Sequence, residues 1–296
     1  MIVIGGSTCE ALASRVATDL KANVGELEVR RFPDGEKYLR VLSDVKDQTV
    51  TVIQSLHHTP DELLVEYLLL VDALKDLGAK KVIAFIPYFA YARQDERFKP
   101  GEALSFKTVS KLIESVGTDE INTIDMHQHR VLNSSEIFSI PSHNLSAMPL
   151  LADYVKKSGK LEKPLVIGPD AEAEQWAKIA ADHLGSDYDV FEKKRLGDDH
   201  VEIRPRRASA RGRDVLIVDD IISTGGTIVE AVKILQSQGA RRIEVACTHP
   251  ILSEGALTRI RETGLQDVIG TDTVPSPISH VTVAPLIADQ VRKTVG

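Results

Sequence analysis

The stretch from Asp214 to Gly239, DVLIVDDIISTGGTIVEAVKILQSQG, constrains the fold more than any other part of the chain. It opens with Val215-Leu216-Ile217-Val218, an apolar run short enough for a strand buried on both faces. Asp219 and Asp220 follow at the expected strand end, then the small-residue loop Ser223-Thr224-Gly225-Gly226-Thr227. Beyond it Ile228, Ala231, Val232, Ile234 and Leu235 recur at helical spacing, and Gly239 supplies a stop. Glycines let backbone N–H groups approach an anion, hydroxyls add donors, and a helix N-terminus favours negative charge. Carboxylates repel phosphate but accept hydrogen bonds from sugar hydroxyls, at about 1.5–3 kcal/mol each. The pattern therefore suits a ligand with hydroxyls at one end and phosphate at the other. A capped, solvated helix start would account for the glycines alone but not for the whole pattern.

Strand-like and helix-like runs alternate along all 296 residues, which predicts an α/β protein with mainly parallel sheets and one large or two ordinary domains. Leu27 to Phe32 and Lys37 to Val41 are the exception. They flank Pro33-Asp34-Gly35, turn chemistry that predicts a hairpin or a protruding loop. Thr59-Pro60-Asp61-Glu62 reads as a capping box with proline at the first helical position, opening a helix striped by Leu63, Leu64, Tyr67, Leu68, Val71 and Leu74. Further helices are predicted over Glu102–Val116, Leu145–Lys157, Glu172–Leu184, Glu254–Glu262 and Pro285–Val295.

An internal echo appears. Val52-Ile53, a loop, a helix and Gly78-Ala79-Lys80-Lys81-Val82 parallel Ile217-Val218, a loop, a helix and Gly239-Ala240-Arg241-Arg242-Ile243. Two related halves follow from it, with a glycine phosphate loop only in the second; the first has His57-His58-Thr59-Pro60 there.

Four more stations carry chemistry. Tyr88, Phe89 and Tyr91 stand beside Arg93, Gln94 and Arg97, a set able to stack on a base and meet phosphate, or to pack against a partner subunit. In Asp125-Met126-His127-Gln128-His129-Arg130 an extended chain would put Asp125, His127 and His129 on one side. No third nitrogen or sulfur ligand fits a zinc site there. Gly168-Pro169-Asp170 places another acid at a strand tip, where open α/β sheets bind ligands. Lys193-Lys194-Arg195, before Gly197-Asp198-Asp199, fits an anion clamp as well as a solvated turn.

A net charge of −7 argues against general nucleic-acid or membrane-surface binding. The chain opens with a strand-like Met1-Ile2-Val3-Ile4, with no basic leader or long apolar run, so secretion and membrane insertion are not expected. Cys9 and Cys247 fit no metal spacing, and two cysteines in so long a chain suggest a reducing, cytoplasmic setting.

The loop at 219–227 resembles the phosphoribosyl pyrophosphate loop of type I phosphoribosyltransferases and ribose-phosphate pyrophosphokinases. With Phe32-Pro33-Asp34-Gly35-Glu36, Ala92-Arg93-Gln94-Asp95, Asp125-Met126-His127, Gly168-Pro169-Asp170 and Lys194-Arg195 in the same order, the whole chain is similar to the pyrophosphokinases. The resemblance implies two phosphoribosyltransferase-like domains, 1–141 with the C-terminal helix 284–296, and 142–283. It implies transfer of the diphosphoryl group of Mg-ATP to the 1-hydroxyl of ribose 5-phosphate, a transferase step of nucleotide biosynthesis with Mg2+ as cofactor.

Carried over by position, it assigns ATP contacts to Phe32, Asp34, Gly35, Glu36, Arg93, Gln94 and His127, and metal contacts to His127 and Asp170. Ribose 5-phosphate would meet Arg195, Asp219, Asp220, Ser223, Thr224, Gly225, Gly226 and Thr227, with Lys194 and Arg195 catalytic. The Phe32–Glu36 loop would reach a neighbouring subunit's ATP, implying a homodimer or larger assembly with a shared site. Two departures stand out: Ser223 where most such kinases carry Asp, and Ala171-Glu172-Ala173-Glu174 where many have a Gly-rich turn, closer to archaeal members. A nucleobase phosphoribosyltransferase would share the sugar-phosphate loop but has no need of the ATP stations. A non-catalytic relative would be expected to have lost Lys194, Arg195, His127 or Asp219.

Overall fold

The computed structural model describes residues 1–97, 99–127, 137–195, 201–265 and 267–295, without the side chains of 193–195 and 201–204. The chain divides into two compact units, Met1–Leu145 with Thr282–Gly296, and Ser146–Val281.

The first unit runs β1 (Ile2–Gly5), α1 (Glu10–Leu20), β2 (Asn23–Val24), β3 (Leu27–Arg31), β4 (Lys37–Val41), β5 (Thr49–Ile53) and α2 (Pro60–Asp76). It continues through β6 (Lys81–Ile86), α3 (Ser105–Ser115), β7 (Glu120–Ile124) and β8 (Ser142–Leu145). Its sheet has the order β2-β1-β5-β6-β7-β8, with every neighbouring pair parallel. The expected hairpin forms as a separate antiparallel pair, β3 with β4, in register Leu27↔Val41 through Arg31↔Lys37.

The second unit runs α4 (Met148–Ser158), β9 (Leu165–Gly168), α5 (Glu174–Leu184), β10 (Tyr188–Arg195), β11 (Val201–Pro205), β12 (Asp214–Ile222) and α6 (Gly226–Ser237). Then follow β13 (Arg242–Pro250), α7 (Ala256–Glu262), β14 (Val268–Thr271) and β15 (Ser279–Val281). Its sheet order is β11-β10-β9-β12-β13-β14-β15, parallel apart from the β10–β11 arm. The final helix, α8 (Ala284–Val295), belongs to the first unit, where Arg292 donates to the Asp19 carbonyl and Thr294 to Glu120.

Strand β12 is apolar on both faces because it separates two cores. Val215 and Ile217 join the cluster under α6, while Leu216 and Val218 join Met148, Leu151 and Trp176 on the other side. Burying one such side chain stabilises by about 1.5–3 kcal/mol, which fixes the strand's register and the place where Asp219 emerges.

Several local expectations shift. Ser142–Leu145, expected to open the second half and start a helix, instead pair with β7 as the edge strand of the first sheet. Regular helix begins only at Met148, with proline in its first turn. The Thr59 side chain makes no capping bond, and Glu62 pairs with Arg31 of the hairpin rather than closing a capping box. Helix α3 starts at Ser105 because Glu102 accepts from the Lys99 amide and the Gln94 side chain, closing a loop. Strand β7 stops at Ile124, and Asp125 turns with φ of 39°, so Asp125 and His127 do not share the face of an extended strand. His129 lies outside the described residues.

Candidate functional site

The C-terminal ends of β9 and β12, neighbours in the second sheet, bring Asp170, Asp219, Asp220 and the 223–227 loop to one edge. After β9 the chain turns tightly at Gly168, where an added Cβ would lie 2.9 Å from that of Ala173. The turn leaves Asp170 exposed, one carboxylate oxygen accepting the amides of Glu172 and Ala173 at 3.0 and 3.1 Å.

At the end of β12 the Asp220 amide donates to Asp219 Oδ1 at 3.0 Å and the Ile221 amide to Asp220 Oδ1 at 2.8 Å. Burial, then the charges of Asp220 and Asp170, hold the Asp219 carboxyl well above the ordinary carboxylate range. A buried carboxyl beside two further acids favours a ligand that brings hydroxyl donors or a cation. Cys247, opposite Asp219 on β13, is buried, and burial and Asp219 together push its thiol far above reactivity at neutral pH.

Gly225 caps α6 in the left-handed region, at φ of 76°. A side chain there would crowd Ile260 and Ala256 at 3.2 and 3.3 Å, so glycine is required twice over. Thr224, Gly226 and Thr227 are exposed, and the first turn of α6 holds no acidic residue. Its leading N–H groups have no partner within the helix and face the surface as a positive helix end. A cleft of about 120 Å³ lined by Pro169, Asp170, Phe191, Glu192, Thr227 and Glu230 joins the acid of β9 to the loop of α6.

Beside β9, β10 extends beyond the sheet as an antiparallel arm with β11, in which Lys194 opposes Glu202 and Arg195 opposes Val201. Both expected catalytic cations thus stand on an arm rising next to the acidic edge. Gly197, Asp198 and Asp199 lie outside the described residues.

In the first unit, Arg93 and Gln94 follow β6 and His127 follows β7, the adjacent parallel strand. Arg93 is exposed, and Gln94 donates to the Glu96 carbonyl at 3.2 Å and to Glu102 at 3.3 Å. Of the nearby aromatics, Phe89 is core, edge-on to Phe106 and Phe138, so it is unavailable to a base.

Phe32, Asp34, Gly35 and Glu36 form the exposed tip of the β3–β4 hairpin. The tip is closed by Phe32 N–H to the Glu36 carbonyl at 2.8 Å and by Gly35 at φ of 99°. Arg30 lies over the Tyr38 ring at 3.9 Å, and Lys37 pairs with buried Glu66 of α2. The hairpin is thus anchored to α2 along its stem, while its tip is held from within the hairpin: Arg31 donates to the Gly35 carbonyl at 2.9 Å, Asp34 accepts the Glu36 amide, and the Phe32 ring stands edge-on to Tyr38.

Sequence reasoning missed the segment that supports the 223–227 loop. Between β13 and α7, Leu252 and Glu254 have φ of 52° and 53°, and Ser253 Oγ lies 3.2 Å from Ser223 Oγ. Arg259 of α7 donates to the Thr224 carbonyl at 2.7 Å. The run Pro250-Ile251-Leu252-Ser253-Glu254-Gly255 was the available signal: turn residues at the tip of the strand next to β12.

Among the described residues no three His, Cys, Asp or Glu side chains are grouped to hold a metal ion, and no helix is long and apolar enough to cross a membrane. Neither cysteine is in a disulfide.

Residues 1–117 match the N-terminal domain of ribose phosphate pyrophosphokinase, and residues 133–271 match the phosphoribosyl transferase domain. A ribose-phosphate pyrophosphokinase of Methanothermobacter thermautotrophicus is 46% identical over 98% of this chain and 100% of its own length. One of Methanopyrus kandleri is 43% identical over the whole of both chains. Among solved structures, phosphoribosylpyrophosphate synthetase from Mycobacterium smegmatis superposes with a TM-score of 0.88 at 30% identity, covering 99% of this chain and 98% of that one.

Proposed function

The chain belongs to the ribose-phosphate pyrophosphokinase family, and on that premise we propose how its own residues divide the reaction. The substrates are ATP and ribose 5-phosphate. The 1-hydroxyl of the sugar attacks the β-phosphorus of ATP, the bond from that phosphorus to the α–β bridging oxygen breaks, and AMP leaves. The observation that carries the assignment is the juxtaposition of an acid-free, uncovered helix N-terminus with the Asp219–Asp220 pair. Residues Ser223, Thr224, Gly225, Gly226 and Thr227 hold the 5-phosphate, and Asp219 and Asp220 accept the ribose hydroxyls. Arg195 and Lys194 supply positive charge to the migrating diphosphoryl group, and Arg195 also meets the sugar phosphate.

Mg2+ fits the donor set. It is commonly held by one or two carboxylates plus substrate phosphates rather than by an all-protein cage. Burial, then the neighbouring charges of Asp220 and Asp170, raise the Asp219 carboxyl, and a cation would relieve the repulsion among the acids. Asp170 would hold it, with His127 in the triphosphate neighbourhood; the ion would screen the triphosphate charge. Phe32, Asp34, Gly35, Glu36, Arg93 and Gln94 contact ATP. The exposed hairpin tip suits a site completed by a second subunit, in a homodimer or larger assembly. Paired use of ATP and ribose 5-phosphate, with two cysteines outside any disulfide, suits the cytoplasm.

A nucleobase phosphoribosyltransferase would share the sugar-phosphate loop, but it leaves the hairpin tip and Arg93–Gln94 without a task. The discriminating test is purified protein with ribose 5-phosphate and Mg-ATP, scored for AMP. AMP in equal amount to the sugar diphosphate is expected. A protein that makes no AMP, yet releases pyrophosphate from the sugar diphosphate and a nucleobase, would overturn the reading.

A further inference from the structure

The phosphate loop is not held by its own hydrogen bonds alone. Arg259 of α7 reaches across with its guanidinium, one nitrogen donating to the Thr224 carbonyl at 2.7 Å and the other to the Glu254 carbonyl. Neither carbonyl belongs to the acidic pair. The second carbonyl sits on a backbone that sterics disfavour. Leu252 and Glu254 both lie in the left-handed region, followed by Gly255 at φ of 74°. A bulky residue at positive φ persists only where its surroundings hold it, and such strain clusters at functional sites. Here the surroundings are the Leu252 amide donating to the Ile222 carbonyl at 2.9 Å, the Ser253–Ser223 hydroxyl contact at 3.2 Å, and Arg259 itself. Three separate links therefore tie 252–259 to 222–224.

The direction of the Thr224–Gly225 peptide follows from this. A peptide is planar, with its N–H opposite its C=O. With the carbonyl held by Arg259, the Gly225 N–H is turned the other way. The Gly225 carbonyl is engaged by the Val229 amide at 3.0 Å, so the peptide on the other side of Gly225 is fixed as well. Were the first peptide to flip, a carbonyl dipole would replace an N–H donor beside the bound phosphate, and glycine's freedom makes such a flip inexpensive.

We infer that Arg259 is a positioning residue for ribose 5-phosphate. It locks the Thr224–Gly225 peptide so that the loop presents a donor, not an acceptor, to the 5-phosphate. The inference rests on the proposed role of the 223–227 loop. The two-pronged grip matters as much as the charge, because a planar guanidinium can bridge two carbonyls where an ammonium is a point charge.

The test is steady-state kinetics of Arg259→Ala and Arg259→Lys with both substrates varied, together with the amide NMR shift of Gly225 on adding ribose 5-phosphate. A hydrogen bond to a charged group sets the scale, so Arg259→Ala should raise KM for ribose 5-phosphate roughly 10- to 100-fold. KM for ATP should stay within about twofold and kcat within about threefold, since the residue acts on ground-state placement of one substrate. Arg259→Lys should recover only a minor part of the loss. The Gly225 amide should shift on ligand binding in the unaltered enzyme and not in Arg259→Ala. If Arg259→Ala is poorly folded, Arg259→Gln, which retains a donor for the Thr224 carbonyl, takes its place and should show a smaller rise of the same selectivity. Equal losses for both substrates, or full recovery with lysine, would overturn the inference. An unchanged KM for ribose 5-phosphate in Arg259→Ala would overturn it too while leaving the loop's role intact, provided Thr227→Asp still raises that KM. If the unaltered enzyme uses no ribose 5-phosphate, it is the functional reading that fails.

Discussion

The two units repeat one motif, and only one copy has an end that can receive a phosphate. In the second, β12 leads through a glycine loop into α6, whose first turn is acid-free and exposed. In the first, β5 leads through Gln54-Ser55-Leu56-His57-His58 into α2, which begins with Pro60, Asp61 and Glu62. Proline removes one N–H donor, and the two acids satisfy the positive helix end from within the chain. Those acids have their own partners: Asp61 accepts from the Tyr91 hydroxyl, and Glu62 pairs with Arg31 of the hairpin. The space is filled as well. The Gln54 side chain lies so close to the turn after β1 that a Cβ on Gly6 would stand 1.4 Å from its Oε1. His57, buried without a hydrogen-bond partner on either ring nitrogen, has its pKa lowered to about 4 by burial and by His58, so it brings no cation at neutral pH. The same backbone path thus leaves an acid-free, uncovered helix end in one unit and serves as a docking point for the hairpin and the 88–97 loop in the other.

The largest expected effect tests whether the chemistry belongs to the second unit's side of the comparison. Lys194→Ala should lower kcat at least roughly 100- to 1,000-fold, the usual cost of losing one preorganised donor, about 2.7–4 kcal/mol. Both KM values should change only a few-fold. Mixed oligomers of Lys194→Ala with Asp34→Ala chains should regain part of the activity, because some sites would then hold both residues intact. Near-normal kcat with a much raised KM for ATP would make Lys194 a binding residue. Inactive mixed oligomers would place the hairpin tip in its own subunit's site.

A smaller effect is expected from moving the first unit's feature into the second. Thr227→Asp puts an acid at the second position of α6, where α2 has Asp61. A like charge near 4 Å from a phosphate costs up to about 4 kcal/mol at a surface dielectric. Screening should leave KM for ribose 5-phosphate raised by roughly 30-fold or more, with KM for ATP little changed. Thr227→Asn, of the same shape, should cost only a few-fold. Equal effects of the two would show that the hydroxyl matters and the acid-free helix end does not.

The smallest effect concerns stability at the other end of the second sheet. Glu244, near the start of β13, is buried with neither carboxylate oxygen hydrogen-bonded. Burial, then Asp267, raises its pKa to about 7, against an opposing pull from Lys160. An acid with a raised folded pKa stabilises least where the unfolded chain is already ionised. Stability should therefore fall between about pH 4.5 and 7 and then level. Glu244→Gln should raise the unfolding free energy by about 1–3 kcal/mol at pH 8 and change it little at pH 4, read from denaturant melts. No pH-dependent difference would mean that Glu244 finds a partner in solution.

Much of this was legible in the sequence because the signals are local. The apolar run 215–218 is buried on both faces, the 223–227 loop opens a helix, and the hairpin forms where Pro33-Asp34-Gly35 predicts a turn. The misses are tertiary. Thr59-Pro60-Asp61-Glu62 carries the composition of a capping box, yet the approach of Arg31 from the hairpin outcompetes the cap. Ser142–Leu145 has no strand pattern of its own and is extended because the edge of β7 offers backbone partners. An extended chain would put Asp125 and His127 on one side, but the Asp125 amide reaches the Leu145 carbonyl, 20 residues on, at 2.7 Å and the chain turns there. Arg259 gave no signal, since its partners are main-chain carbonyls that any residue could provide.

Amide hydrogen exchange with and without saturating ribose 5-phosphate tests the central claim most directly, because it reads both β–loop–α segments at once. Slowed exchange at residues 224–228, with residues 55–61 unchanged, is the predicted result. Protection at 55–61, alone or together with 224–228, would contradict the account and make the first unit a phosphate site.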